Sequence, residues 1–198
     1  MANATGAFGL KPARHLAGSS QWQVEKMYVS ANYATAIFVG DPIVIEPLDA
    51  NYDPSGKHRS ANVSAGTDAL IVLGACVGIE PIQTDLNKTY LPASTGGYIY
   101  VMTARDAVYE IRGDGGGTPV AAYISLNAEM VATAAGSTAT GLSGFEMELT
   151  TPASNQSYPL LIVGIKDVED NTLADNAVYL VRLNTAMNVV GDMLGVTS

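Results

Sequence analysis

The sequence has few charged residues and only one cysteine. Asp, Glu, Lys and Arg make up 15% of the 198 residues, below the roughly 25% of ordinary soluble domains. A surface so poor in charge is typical of proteins that are glycosylated, fibrous or largely covered by neighbours. The single cysteine, Cys76, excludes an intrachain disulfide, and its place in an apolar run favours a small buried hydrophobe. The chain is therefore not built for an oxidising compartment.

Basic residues are also scarce, and no hydrophobic run is long. The formal net charge is -9, and the ten Lys and Arg residues are scattered, whereas nucleic-acid binding needs clustered positive charge. The longest apolar run, residues 69–79, is too short for a membrane span of about 20 residues. We therefore expect a soluble, unanchored protein with neither nucleic acid nor membrane as a partner.

No pattern of catalytic or metal-binding residues stands out. The two histidines, His15 and His58, lie in no triad setting, and two His with one Cys are too few for a usual zinc site. Residues 49–56 resemble the start of a calcium loop but lack its glycine at the sixth position, so a turn is favoured. Glu146 and Glu148 would share one strand face, as an acid/base pair or as ordinary surface charges. We expect no enzymatic activity, no cofactor and no metal.

Short apolar and β-branched runs separated by Gly, Pro, Asn and Asp predict a mainly β fold. We expect a compact β-sandwich or partly open β-barrel with an extended N-terminal arm and at most one or two short helices. The candidate helices are residues 125–135 and 185–194. The predicted strands lie within residues 21–29, 36–39, 43–45, 70–80, 98–102, 108–112, 160–165 and 178–183.

The first twenty residues contain no acidic residue, although the whole chain is strongly acidic. They show no helical period and are too interrupted by glycine to form a core. We predict an extended arm over residues 1–20, joined to a single β-rich domain over residues 21–198. The alternative is a disordered terminal tail. If the arm lies on another protein, we expect its contacts to be Phe8, Leu10, Lys11, Pro12, Arg14 and His15.

Several short motifs resemble, in the same order, those of a family of phage proteins. They are ANATGAFGLKPARHL-x-G (2–18), GDPIV (40–44), LGACVGIE (73–80), DAVYEI (106–111), SGFEM (143–147), LIVGI (161–165), DN (170–171) and VYLVRLN (178–184). Taken together, they resemble the head decoration, or cement, proteins of tailed bacteriophages. Tyr109 stands where that family usually has Phe. The resemblance spans nearly the whole chain.

The resemblance implies a structural role without enzymatic activity. Such proteins are made in the host cytoplasm and sit on the outer surface of the mature head, where they bridge major capsid subunits. They often form trimers, with a dimer as the alternative here, and their arms add to capsid-protein sheets. On this reading Phe8 and Leu10 are apolar anchors, and Lys11 and Arg14 face capsid carboxylates.

Two other classes of function remain open from the sequence. One is a β-sandwich module on the virion surface that binds host glycans. Tyr52, flanked by Asn51 and Asp53, is the best candidate for its aromatic platform. The other is a virion hydrolase, which is disfavoured because no nucleophile lies in a recognisable setting beside a base.

Overall fold

The fold is mainly β, as the sequence predicts, with about 40% of the described residues in strands or isolated β-bridges. The computed structural model describes residues 3, 5–16, 18, 21–45, 52–64, 72–83 and 85–184. Its strands are β1 (Lys11–His15), β2 (Val24–Val29), β3 (Pro42–Ile45), β4 (Ala61–Val63), β5 (Gly74–Ile79), β6 (Gly97–Met102), β7 (Ala107–Arg112), β8 (Asn127–Ala128), β9 (Met130–Ala132), β10 (Phe145–Met147), β11 (Leu160–Ile165) and β12 (Val178–Leu183).

The strands form two five-stranded sheets and one two-stranded sheet, and the strand pairs within them are antiparallel. The first sheet has the order β1-β7-β12-β11-β8, the second β2-β6-β5-β3-β4, and the third joins β10 to β9. No sheet closes into a barrel. A single parallel bridge between Tyr28 and Ser60 links the two ends of the second sheet.

Two hydrophobic cores follow from the alternation of side chains along the strands. The larger core packs Tyr109 and Tyr179 of the first sheet against Met130 and Met147 of the third. The smaller core lies against the second sheet and includes Met27, Ile43, Cys76, Ile99 and Val101. The longest apolar run, predicted as a strand within residues 70–80, contains β5. This strand contributes Ala75 to the larger core and Cys76 to the smaller.

The helix predicted over residues 125–135 is wrong. This segment forms the short strands β8 and β9, in which Ala128 and Met130 are both fully buried. Burial at alternate positions is the period of a strand, and tertiary packing has overridden good helix formers here. One short 3-10 turn, Ala121–Tyr123, precedes these strands. The other predicted helix, residues 185–194, lies outside the described residues.

No helix in the described part of the chain has the length and apolar character of a membrane span.

Candidate partner-binding site

The N-terminal segment contains an edge strand of the first sheet. Strand β1 pairs antiparallel with β7, with a bulge between Pro12 and Arg14. Within the described ranges, no strand pairs with the other edge of β1. Residues 11–15, expected in a separate arm, therefore belong to the sheet of the domain and leave one strand edge open.

Two of the six predicted contact residues lie inside the protein. Leu10 is fully buried in the larger core. His15 is buried as well; its Nδ1 lies 3.0 Å from Oδ1 of Asp106, and its ring packs on Trp22 with centroids 4.3 Å apart. In this conformation neither side chain is open to a partner. The reason is that β1 pairs with β7, which brings Leu10 into the larger core. The two strands are far apart in the sequence, so local sequence patterns do not reveal this pairing.

The other four predicted residues are exposed or half-buried. The Lys11 side chain is 63% exposed, with Nζ 3.6 Å from Oε2 of Glu110. Arg14 is exposed, and Phe8 and Pro12 are half-buried. Lys166 Nζ lies 3.0 Å from Oε1 of the same Glu110. The exposed part of the segment thus offers two cations and two apolar side chains, with Lys11 already weakly paired.

An apolar groove with a volume of about 710 Å³ opens beside β1. Trp22, Val24 and Leu142 line it and remain 41%, 45% and 38% exposed. The charged triad Lys11, Glu110 and Lys166 also borders it. The full lining is Phe8, Leu10, Lys11, Pro12, Trp22, Val24, Val39, Gly40, Cys76, Val77, Met102, Glu110, Leu142, Lys166 and Val178.

The groove includes residues that sequence reasoning did not assign to a site. Trp22, Val24 and Leu142 were missed, although alternation places Trp22 and Val24 on one face of the strand that begins there. That alternation was the available signal for these two. No local sequence signal pointed to Leu142, because this residue lies in a loop and reaches the groove through a bridge with Val39.

The groove rests on a close crossing of backbones, which we call the junction (residues 8–10, 38–41, 76 and 141–143). The Leu10 N–H donates to the Gly40 carbonyl at 2.8 Å, and the Gly40 N–H donates to the Cys76 carbonyl at 2.8 Å. Gly40 has a φ of +97°, and a Cβ there would lie 2.1 Å from the Phe8 carbonyl oxygen. Only glycine fits this crossing, which sets the positions of Phe8 and Leu10.

A buried carboxylate lies within the junction. Asp41 is 3% exposed, and its Oδ2 accepts a hydrogen bond from the Phe38 N–H at 2.8 Å. Burial raises the pKa of Asp41 to about 6, although hydrogen bonds from the Ser143 side chain and the Phe38 N–H favour the ionised form. Burial and the nearby Asp41 carboxylate also raise the pKa of the Cys76 thiol to about 12. Both features make the junction a structural element rather than a reactive one.

A second buried carboxylate organises residues 52–60, which we call the Asp53 loop. Asp53 is 1% exposed. It accepts hydrogen bonds from the N–H groups of Ser55, Lys57 and His58, from the Ser55 hydroxyl and from the Tyr98 hydroxyl. Burial acts to raise the pKa of Asp53, but the bonds from residues 55, 57 and 58 outweigh it and hold the pKa below its usual range.

These bonds bear on the calcium-loop and glycan alternatives. Both carboxylate oxygens of Asp53 are engaged within the protein, so Asp53 is not a free ligand beside Tyr52, which is 68% exposed. Asn51, the other predicted neighbour, lies outside the described residues. Throughout the described ranges, no three His, Cys, Asp or Glu side chains are grouped so that they could hold a metal ion.

The two glutamates considered as an acid/base pair have different surroundings. Glu146 is buried on β10, where it forms an ion pair with Arg112 of β7 and accepts a hydrogen bond from Thr133. Glu148 is half-buried and accepts a hydrogen bond from the Thr150 hydroxyl at 2.8 Å. The Arg112–Glu146 pair connects the first sheet to the third, which is a structural role.

Comparisons with protein-family models, with characterised proteins and with solved structures find no match to this chain.

Proposed function

We propose that this protein is a capsid decoration, or cement, protein of a tailed bacteriophage. In this role it binds the outer surface of the head and bridges neighbouring major capsid subunits, as a homotrimer or alternatively as a dimer. Two things support the proposal. The ordered motifs resemble that family along nearly the whole chain, and the N-terminal segment presents a binding edge.

The open edge of β1 is the observation that carries the proposal. An edge strand presents unpaired backbone N–H and C=O groups, to which an extended segment of another protein can add by strand pairing. β1 holds such an edge on the first sheet. Because the strand is already ordered on β7, a partner would pay little of the ordering cost that a free arm would impose.

Charge supports the same surface. Lys11 and Arg14 are exposed on β1, in a chain whose net charge is -9. Basic side chains on the edge of an acidic protein would direct it towards carboxylates on a partner and set the register of the added strand. Leu16, which follows β1 directly, is 49% exposed and adds apolar area at the end of the strand.

The test is binding of the purified protein to empty, expanded heads of the phage that encodes it. Co-sedimentation measures affinity, and electron microscopy of the decorated heads locates the protein. We expect Arg14→Glu to weaken binding at least about tenfold, since a rim charge facing carboxylates is reversed. Lys57→Glu reverses another exposed cation, on the Asp53 loop, and should leave binding unchanged.

A folded wild-type protein that does not sediment with the heads would overturn the proposed function. If Arg14→Glu binds the heads with the affinity of the wild type, β1 is not the contact, even though the protein belongs on the head.

A further inference from the structure

The groove beside β1 combines a buried apolar floor with open apolar walls. Leu10, Cys76 and Met102 line it and are fully or almost fully buried, whereas Trp22 and Leu142 line it and remain more than a third exposed. Scattered exposed apolar residues are ordinary, but a contiguous apolar patch in a concave site marks a binding surface. The volume of about 710 Å³ lies within the range of pockets that bind small organic molecules.

Contacts within the protein hold the two open walls in place. The ring of Trp22 packs on that of His15, with centroids 4.3 Å apart. The Val39 N–H donates to the Gly141 carbonyl at 2.9 Å, which fixes the loop that carries Leu142. A pocket whose walls are already ordered binds a ligand without the cost of ordering them.

The charged groups of the groove lie together on the side formed by the first sheet. They are Lys11 of β1, Glu110 of β7 and Lys166, which follows β11 directly. The Nζ atoms of Lys166 and Lys11 lie 3.0 and 3.6 Å from the Glu110 carboxylate. An apolar pocket with a few polar groups at one side fixes the orientation of its ligand, so this arrangement suits a molecule with one polar end.

The charge of this cluster decides the sign of that polar end. Two ammonium groups share the single carboxylate of Glu110, which leaves one positive charge unbalanced. The Lys11 side chain is the more exposed of the two lysines, and its 3.6 Å separation from Glu110 is longer than a hydrogen bond. Its N–H donors are therefore available to a second carboxylate, which would accept a charge-assisted hydrogen bond.

The buried carboxyl group of Asp41 does not supply this missing anion. It belongs to the junction, where it accepts a hydrogen bond from the Phe38 N–H at 2.8 Å and another from the Ser143 side chain. Among the described residues that line the groove, Glu110 is the single acidic one. The unbalanced charge is thus open to an anion from outside the chain.

We propose that the groove binds a small amphiphilic anion of the fatty-acid type, with its carboxylate beside Lys11 and its apolar chain between Trp22 and Leu142. The chain buries apolar area on the floor of the groove, and the carboxylate balances the charge of the cluster. A neutral amphiphile gains the first of these contributions alone, and a cationic one meets like charge. The inference goes beyond the capsid role and does not depend on it.

Trp22 reports on this binding, because it is the only tryptophan in the chain and it lines the groove. The probes are decanoate, decanol and decyltrimethylammonium, which share one apolar chain and differ in charge, each used at neutral pH below its micelle concentration. We expect decanoate to shift Trp22 emission to the blue and to reduce its quenching by acrylamide. Its Kd should be lower than that of decanol by at least about threefold, and decyltrimethylammonium should bind most weakly.

Two variants change the charge of the cluster in opposite directions. Lys11→Gln should weaken decanoate binding and Glu110→Gln should strengthen it, each by at least about threefold, while both leave decanol binding unchanged. A purely structural role of the cluster would not produce opposite effects. Lys57→Gln removes an exposed cation on the Asp53 loop and is the control that should match the wild type.

A third variant tests the apolar wall. Leu142→Asp should abolish the binding of decanoate and decanol alike, because it places a charge against the apolar chain. Ile124→Asp is the matched control, since Ile124 is also more than a third exposed but lies before β8, at the opposite edge of the first sheet. If Leu142→Asp does not fold, the two charge variants still decide the test.

Three outcomes would overturn the inference. If decanoate leaves Trp22 emission and quenching unchanged, the groove does not bind it. If all three probes bind with the same Kd, or if the charge variants do not alter that of decanoate, the site does not recognise an anion. If protection of Trp22 increases with protein concentration in the absence of any probe, the occupant of the groove is a second copy of the chain.

Discussion

The junction and the Asp53 loop each contain one nearly inaccessible aspartate, yet the pKa values of the two carboxyl groups are shifted in opposite directions. Asp41 and Asp53 are 3% and 1% exposed. The pKa of Asp41 is raised to about 6, whereas that of Asp53 lies below its usual range. Similar burial therefore does not produce a similar charge state.

The difference lies in the number of hydrogen-bond donors around each carboxylate. Asp41 receives bonds from the Phe38 N–H and the Ser143 side chain, too few to offset the loss of hydration. Asp53 receives five, three of them from backbone N–H groups. Donors directed at a carboxylate stabilise its ionised form, and burial without them favours the protonated form. The ionised carboxylate of Asp53 thus stabilises its loop, whereas burial disfavours the ionised form of Asp41 in the junction.

The largest effect expected in this comparison is that of a methyl group at Gly40. Gly40→Ala puts a Cβ 2.1 Å from the Phe8 carbonyl oxygen, and backbone cannot move aside cheaply. We expect the free energy of unfolding to fall by at least about 3 kcal/mol. Urea denaturation measures it.

Gly56→Ala in the Asp53 loop is the matched control for this substitution. Gly56 also has a positive φ, +66°, but a Cβ there meets no atom within 4 Å. Only the cost of the left-handed backbone remains, about 1 kcal/mol. Equal losses for the two variants would show that the backbone crossing does not constrain the junction.

The next effect is a pH dependence that Asp41 imposes on stability. Because its pKa is raised from 3.8 to about 6 in the folded state, folding takes up a proton between these values. Stability from this group is complete below pH 4 and is lost as the pH rises through 6, by about 3 kcal/mol. The stability of the wild type relative to Asp41→Asn should fall by this amount as the pH rises across the range, and denaturation of both proteins measures the difference. Parallel curves would contradict the buried, protonated carboxyl.

Asp53 should show the opposite dependence, over a smaller accessible range. Because its pKa is lowered in the folded state, its stabilisation is present at neutral pH and is lost as the pH falls below the usual carboxyl range. Only the part of this loss of stability that occurs at the higher pH values is measurable, because other carboxylates are protonated at lower pH. Stability of wild type relative to Asp53→Asn should therefore decrease with acidification. An increase would mean that the five donors do not act on the charged form.

The smallest effect concerns the wild-type junction, which should remain closed to thiol reagents. Cys76 is fully buried, and with a thiol pKa of about 12 only about one part in ten thousand is thiolate at pH 8. Labelling should then require opening of the junction, and Gly40→Ala should accelerate it more than Gly56→Ala. Labelling of the wild type as fast as that of an exposed thiol would contradict a closed junction.

Much of the strand content could be predicted from local pattern, and the pairing could not. The alternation at residues 108–112 and the apolar runs at 160–165 and 178–183 correspond to β7, β11 and β12, because period-two burial is a local property. Residues 125–135 were predicted as a helix for the same reason, since their helix formers are visible locally and the partners of β8 and β9 are not.

The candidate site shows the same limit. Composition drew attention to the N-terminal segment, and four of the six residues named there line the groove. Composition could not predict that Leu10 lies in the core, or that His15 contacts Asp106, a residue 91 positions away. Nor could composition predict the bridge between Leu142 and Val39 or the close approach of Gly40 to Phe8.

The sequence by itself determined a mainly β chain, an acidic body and a basic N-terminal segment, since these depend on composition and on neighbouring residues. Only the tertiary structure decided that this segment is an edge strand with a groove beside it, and that one buried aspartate is stabilised by its charge while the other is not. Both results depend on backbone groups that meet across long sequence separations, where the energies of burial and hydrogen bonding are set by geometry rather than by residue type.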